Sequence, residues 1–413
     1  MIKRILVTIL VVTTSVLYSQ QGTSSPYSFF GRGLQNFKGT IENRSMGGLS
    51  ILGDSIHLNL QNPAGFGNLK LTTYSIGTTY TTLSVKGADE SYNTDNATLE
   101  YLAVGIPAGK FGFGFGLIPY NLVGYRLTEI TEEKRNQFTG KGGVNKVFLN
   151  AGYQVTDELS IGADVSYSFG SIENKVVSGR KEVQYGTREI TTSRLSGLGL
   201  SFGLMYNKMI TDKLQLRSSV VSSPSFEIRS KNERELATIT IDQQGRESVV
   251  DKQDITIADR DMDIPAKLEV ELGIGQPNKW FVGGEYGYTN SDDFTNRTVS
   301  LDNVTYENAW KFGVGGFYIP KYNALTGYFK RVTYRAGFRY EETPLHINNH
   351  SIDEFGISFG VGLPVRNGFS NLNLGFEYGQ RGTTDFGLVR EDFFNFSLSL
   401  SLNDKWFRKI KFN

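Results

Sequence analysis

Near the C-terminus, Phe394, Phe396, Leu398, Leu400 and Leu402 alternate one for one with Asn395, Ser397, Ser399, Ser401 and Asn403. Successive side chains of a pleated strand point to opposite faces, so this run is apolar on one face and polar on the other; a helix would scatter it. The pattern recurs in Leu159–Phe169, Leu268–Ile274, Val332–Tyr340 and Phe355–Leu363. Placing every such segment gives fourteen predicted strands: 70–86, 97–107, 110–126, 143–155, 159–172, 191–209, 214–230, 263–276, 280–290, 307–319, 330–342, 352–364, 371–381 and 391–403. Most reach the ~9–11 residues a tilted strand needs to cross a bilayer, where globular strands average ~5–6.

The connections alternate in length. Short ones at 108–109, 156–158, 210–213, 277–278 and 365–370 face long polar ones at 87–96, 127–142, 173–190, 231–262, 291–306 and 382–390. Short periplasmic turns opposite long outer loops mark an outer-membrane β-barrel, and an even strand number leaves both chain ends in the periplasm. The stretch 320–329 is an exception, long for the short side. Two turns are near copies, Val155-Thr156-Asp157-Glu158-Leu159 and Ile210-Thr211-Asp212-Lys213-Leu214.

Charges alternate with the apolar face. Arg331, Arg335, Arg339, Glu269, Glu271, Glu285, Glu377 and Asp164 share faces with Gly and Ser. A lipid-facing Arg or Lys at mid-bilayer costs about 2–4 kcal/mol, so these residues are expected in a polar lumen, with the opposite face on outer-membrane lipid. The 47 Gly and 13% aromatic residues suit such a wall, and a net charge of +1 offers nothing to nucleic acid.

The ends read differently. Lys3 and Arg4 precede an apolar stretch from Ile5 to Leu17 and the small Ser19, the pattern of a cleaved secretory signal over 1–20. Thirteen residues are too short for a membrane-spanning helix, and no later apolar run approaches 18. Residues 21–69 precede the barrel at 70–403 and are expected to fold into the lumen as a hatch. Residues 404–413 form a basic, aromatic periplasmic tail.

No catalytic constellation emerges, and no cofactor or metal is expected. There is no cysteine, which excludes disulfides and thiolate chemistry. His346 and His350 are assigned to an outer loop at 343–351, where solvation is the simpler reading. Phe111-Gly112-Phe113-Gly114-Phe115-Gly116 lacks the Lys-Ser/Thr pair of a phosphate loop and reads as a strand. Pro119 falls inside the third strand, where it removes a ladder hydrogen bond. Either the wall bends there or pairing stops at the rim.

Spaced motifs carry a resemblance: Arg44-Ser45-Met46-Gly47-Gly48, Asp54-Ser55, Asn62-Pro63-Ala64-Gly65, Thr156–Gly162, Ile264-Pro265-Ala266, Lys279-Trp280, and Arg339-Tyr340 with Thr343-Pro344. In these the chain resembles the FadL-like outer-membrane transport family of the TodX type, and the related PorV-like barrels of Bacteroidota. The resemblance implies fourteen strands around an N-terminal hatch, with Asn62, Pro63, Ala64 and Gly65 near a third-strand kink at Pro119. It further implies a small hydrophobic ligand that leaves through the wall. Loops 87–96 and 127–142 lack the apolar helical hairpin expected of a fatty-acid capture groove. Two readings follow. One is a plugged passage for small hydrophobic compounds with lateral exit. The other is a non-enzymatic accessory subunit of an outer-membrane secretion or barrel-assembly machine, meeting an envelope protein partner through its loops or C-terminal tail.

Overall fold

The computed structural model describes residues 22–51, 55–88, 90–242, 244–291, 301, 303–365 and 370–405. The expected signal at 1–20, Asp54, and most of the expected tail lie outside these residues.

Fourteen wall strands follow the predicted order. They are β1 (Thr72–Lys86), β2 (Ser91–Ala108), β3 (Phe111–Ile130), β4 (Lys134–Gln154), β5 (Leu159–Arg180) and β6 (Gly186–Met209). Next come β7, in two pieces (Gln215–Ser223, Phe226–Ile241), and β8, in three (Glu247–Thr256, Arg260–Ile264, Lys267–Gln276). Then follow β9 (Trp280–Thr289), β10 (Val304–Tyr306, Ala309–Tyr318), β11 (Thr333–Ile347), β12 (His350–Val365), β13 (Ser370–Arg381) and β14 (Arg390–Asp404). Pro224 and Pro265 fall in the breaks of β7 and β8, where a missing N–H cannot feed the ladder. All pairing is antiparallel, and β14 closes on β1 from Thr72↔Asp404 to Lys86↔Arg390.

Alternation sorts the faces as expected. Ile161, Val165, Tyr167 and Phe169 are exposed outward on β5, while Asp164, Ser166 and Ser168 are buried inside. The two similar turns share one geometry. Thr156 Oγ1 accepts from the N–H groups of Glu158 and Leu159, and Thr211 Oγ1 from those of Lys213 and Leu214.

Three expected outer loops are mostly strand. The segments 127–142, 173–190 and 231–262 are ladder-paired hairpins with tips at 131–133, 181–185 and 242–246. The β5–β6 ladder runs from Leu159↔Tyr206 to Ser178↔Thr187. That is about 65 Å along the strand, and roughly half of it lies beyond a ~25 Å apolar band. Polarity hid these extensions, because above the membrane both strand faces meet water or a small local core. At the base of this canopy Val123, Tyr125, Val144, Ile172, Leu195 and Ile228 form a buried cluster with Phe29 and Phe138 against it, and within it Val177, Ala237 and Ile239 form a smaller one. The 343–351 loop is likewise a strand pair closed by Asn348-Asn349, both at positive φ (55° and 61°).

Among the described residues, the ladder between β2 and β3 leaves a seam in the wall. β2 and β3 pair only from Ala108↔Phe111 to Leu102↔Leu117, although both continue upward. Pro119 lacks an N–H, and Tyr120 is an extra residue against β4, between Pro119↔Asn145 and Asn121↔Val144. A bulge bends its strand, so β3 parts from β2 here.

The orientation of the faces is checked by Val165→Arg, outward on β5. It should lower bilayer unfolding stability by about 2–4 kcal/mol. Equal stability in a denaturant titration would place that face away from lipid.

Candidate functional site

The N-terminal segment packs against the inner wall at two glycine rows. Gly112, Gly152, Gly162 and Gly203 are register partners across β3, β4, β5 and β6. The turn Asn62–Gly67 lies along this row. A side chain at Gly112 would collide with the Phe66 carbonyl, at Gly162 with the Ala64 amide, and at Gly203 with the Asn62 side chain. Asn62 caps its own turn by accepting from the Ala64 N–H at 2.9 Å. Its amide donates to Leu204 O (3.2 Å) and Ser219 Oγ (3.1 Å). Pro63 opens the two-turn 3-10 helix Pro63–Asn68, where its fixed φ costs nothing.

The second row seats Arg44–Gly48. Gly315 and Gly337 are partners on β10 and β11, and side chains there would strike Met46 and Gly47. Gly47 has φ 70° and donates to Ser358 Oγ at 3.1 Å. Between the rows, Ile41, Leu58, Leu60, Phe66 and Leu69 bury against Tyr101, Ile118 and Phe148 of the wall.

Residues 22–37 occupy the seam as a strap. Leu34 and Gln35 pair with Leu122 and Asn121 of β3. The Asn36 N–H donates to Tyr120 O at 2.9 Å. The Asn36 side chain donates to Glu100 of β2 (3.1 Å) and to Pro119 O (3.4 Å). Toward β2, Thr98 donates to Gly22 O (3.2 Å) and Ser24 to Asn96 (3.1 Å). Two strands further along the wall, at β14, Ser25 donates to Glu391 and Tyr27 to Val389 O.

Several charged residues of the lumen are ion-paired and others are held by neutral hydrogen-bond partners. Arg339 bridges Glu354 and Glu377, and Arg381 bridges Glu354 and Glu391. Lys311 joins Glu269 (2.8 Å) and Glu285. Glu271 accepts from the Ser50 N–H and from Ser219 Oγ (3.0 Å). Arg335 donates to Asn373 (3.2 Å), which donates to Glu42 of the N-terminal segment (2.7 Å). Arg331 departs from the expectation. β11 begins two residues later, so Arg331 lies at the periplasmic rim with its guanidinium 5.7 Å from the Tyr328 ring centroid. The periodicity was right, but the strand had not yet started.

Between the strap, Arg44 and Gln61 of the N-terminal segment and the inner wall lies a cavity of about 400 Å³. Arg339, Glu354, Glu377 and Arg381 line it from β11 to β13, and Tyr120, Leu122, Phe226 and Ile264 from β3, β7 and β8. It therefore offers both ionic and apolar walls. Pro119 and the Asn62 turn, expected near one another, are separated: Pro119 meets the strap, while Asn62 lies on the glycine row of β3 to β6. His346 is buried in β11 with Glu307 at 3.8 Å, and His350 stacks on Phe386. No group of three or more potential metal ligands occurs among the described residues. Sequence reasoning missed the buried Arg44–Glu100 pair (3.2 Å) and both glycine rows. The repeated Gly at inward positions 112, 114 and 116 was the available signal.

A closed fourteen-stranded antiparallel wall with a third-strand bulge defines a FadL-like outer-membrane barrel. The BamG family model matches residues 1–413, so the chain belongs to the BamG family. No curated protein matches it. Among solved structures, it is similar to the Ralstonia pickettii toluene transporter TbuX, at 16% identity, 89% of this chain, 99% of that chain and TM-score 0.60. A Pseudomonas aeruginosa FadL homologue matches at 15% identity, 90% and 99% coverage and TM-score 0.58. The Pseudomonas putida toluene transporter TodX matches at 16% identity, 89% and 98% coverage and TM-score 0.55. At these identities the likeness concerns the fold.

The glycine rows make a direct prediction. Gly162→Val should unseat the Asn62 turn and lower the temperature of heat-modifiable gel migration. Gly179→Val, where an added Cβ meets nothing within 4 Å, should leave it unchanged. Equal behaviour of the two variants would contradict the keyed fit.

Proposed function

We propose that this barrel is a plugged passage for small hydrophobic compounds, with lateral exit at the seam between β2 and β3. The observation that carries the reading is the seam itself: a closed sheet gains hydrogen bonds by pairing throughout, yet here two long strands part next to a proline bulge. The apolar residues Tyr120, Leu122 and Phe226 line the cavity beside it. Residues 38–71 act as the fixed plug, keyed into the glycine rows by the Asn62-Pro63-Ala64-Gly65 turn. The strap yields instead: its ladder is two residues long, its other hydrogen bonds are worth about 1 kcal/mol net each, and no glycine row keys its packed Tyr27, Phe29, Phe30 and Leu34. Pro119 sets the opening. Two of the similar structures are toluene transporters, which supports a hydrophobic cargo and a role without catalysis.

A second reading has its own support. The ion pairs that run from Arg339 through Glu354 and Arg381 to Glu391 end on the strap at Ser25. Such a network favours a lumen that stays shut. The BamG name points to a barrel-assembly context, and the tall outer hairpins offer a partner surface. In that case the protein is an accessory subunit rather than a conduit.

The chain has no cysteine, so Ser24→Cys/Asn96→Cys can lock the strap to β2 with a single disulfide. In liposomes, flux of a small hydrophobic fluorescent probe should fall at least fivefold on oxidation and return on reduction. Flux equal to that of empty liposomes in both states would remove the passage and leave the accessory reading. A stoichiometric envelope protein recovered with the tagged barrel would then support it.

A further inference from the structure

The β10–β11 turn is unlike its periplasmic neighbours. The β2–β3 and β8–β9 turns are tight, whereas 319–332 spans Ile319 to Val332 and carries large apolar side chains. Leu325 is 99% exposed and Phe329 74%, with Tyr322 and Tyr328 also exposed. The turn is braced rather than loose. Lys321 N–H donates to Lys330 O (2.7 Å), Ala324 N–H to Lys321 O (3.2 Å) and Lys330 N–H to Gly327 O (3.0 Å). Gly327 supplies the left-handed φ of 81°. Ala324 and Val332 are buried beneath it. A braced turn that holds leucine and phenylalanine outward leaves apolar area without a partner in this chain, at about 25 cal/mol per Å².

We propose that this turn inserts Leu325 and Phe329 into the inner leaflet of the outer membrane, as an anchor fixing the height of the barrel. Two observations select phospholipid as the occupant. First, the turn is continuous with the lipid-facing wall. Tyr318 and Tyr334 are cross-strand partners, exposed on the same face as Val314 and Phe338. Tyr334 OH then donates to Phe329 O at 3.3 Å. Second, the turn carries Lys321, Lys330 and Arg331 and no Asp or Glu between 319 and 332. Cations around an apolar tip match phosphate headgroups above acyl chains, as aromatic and basic residues do at membrane interfaces. Tyr328 donates to Pro364 O (3.2 Å), which ties the turn to β12. The inference is independent of whether the lumen conducts.

The test uses the full chain in phospholipid nanodiscs containing phosphatidylglycerol. Leu325→Cys and, as an outer-side control, Gln244→Cys each carry one thiol-linked fluorophore. Leu325→Cys should be quenched by brominated acyl chains at least threefold more than the control, and protected from aqueous iodide. Equal iodide quenching at both sites would overturn the proposal and place the tip in water. Protection from both quenchers would also overturn it, because the tip would then be packed on protein.

Discussion

In a bilayer there is no water to satisfy a peptide group, so every N–H and C=O of the wall needs a partner within the protein. Thirteen of the strand junctions meet this demand through long antiparallel ladders. The β2–β3 junction does not, because Pro119 and the bulge at Tyr120 turn β3 away. What the sheet omits there, the strap supplies in part. Its Leu34–Gln35 ladder and the Asn36 bonds cover the β3 edge, while Gly22 and Ser24 meet β2. The N-terminal segment thus supplies partners to the edges of the wall itself.

The two halves of that segment are held by different physics. Residues 38–71 sit where Cβ atoms are missing from the wall, so shape complementarity and buried apolar side chains fix them. Residues 22–37 combine polar contacts to β2, β3, Glu391 and Val389 with apolar packing of Tyr27, Phe29, Phe30 and Leu34 in two clusters. Packing against glycine tolerates little displacement, because interiors are close-packed. Hydrogen bonds can be exchanged for water at modest cost. The glycine-keyed part is therefore the more tightly constrained, while the strap adds the packing of Tyr27, Phe29, Phe30 and Leu34 to its hydrogen bonds.

Strand number, order and face assignment were legible because the period-2 pattern acts wherever one face meets lipid and the other a polar lumen. Asp164, Arg339 and Glu377 all fell on the correct face for that reason. Above the membrane the rule lapses. The hairpins at 127–142 and 173–190 therefore read as loops, although Val177 packs with Ala237 and Ile239 in a small core there. Arg331 was misplaced by extending a valid period past the end of its strand. Of the candidate site, the Asn62–Gly65 turn was visible as a motif and Pro119 as an anomaly. The glycine rows were not, since cross-strand neighbours become known only once the register is set. The strap's place in the seam depends on contacts across some 70 to 360 residues of sequence, which no local pattern encodes.

The account turns on the strap standing in for a missing ladder. Amide hydrogen exchange of the bilayer-embedded protein, with and without residues 22–37, tests it most directly. Removal of the strap should speed exchange of the gap-facing amides within 118–126 of β3 and 92–100 of β2 at least tenfold, leaving the β5–β6 ladder unchanged. If those amides stay as protected as before, β2 and β3 close on each other without the strap, and the seam is not an opening.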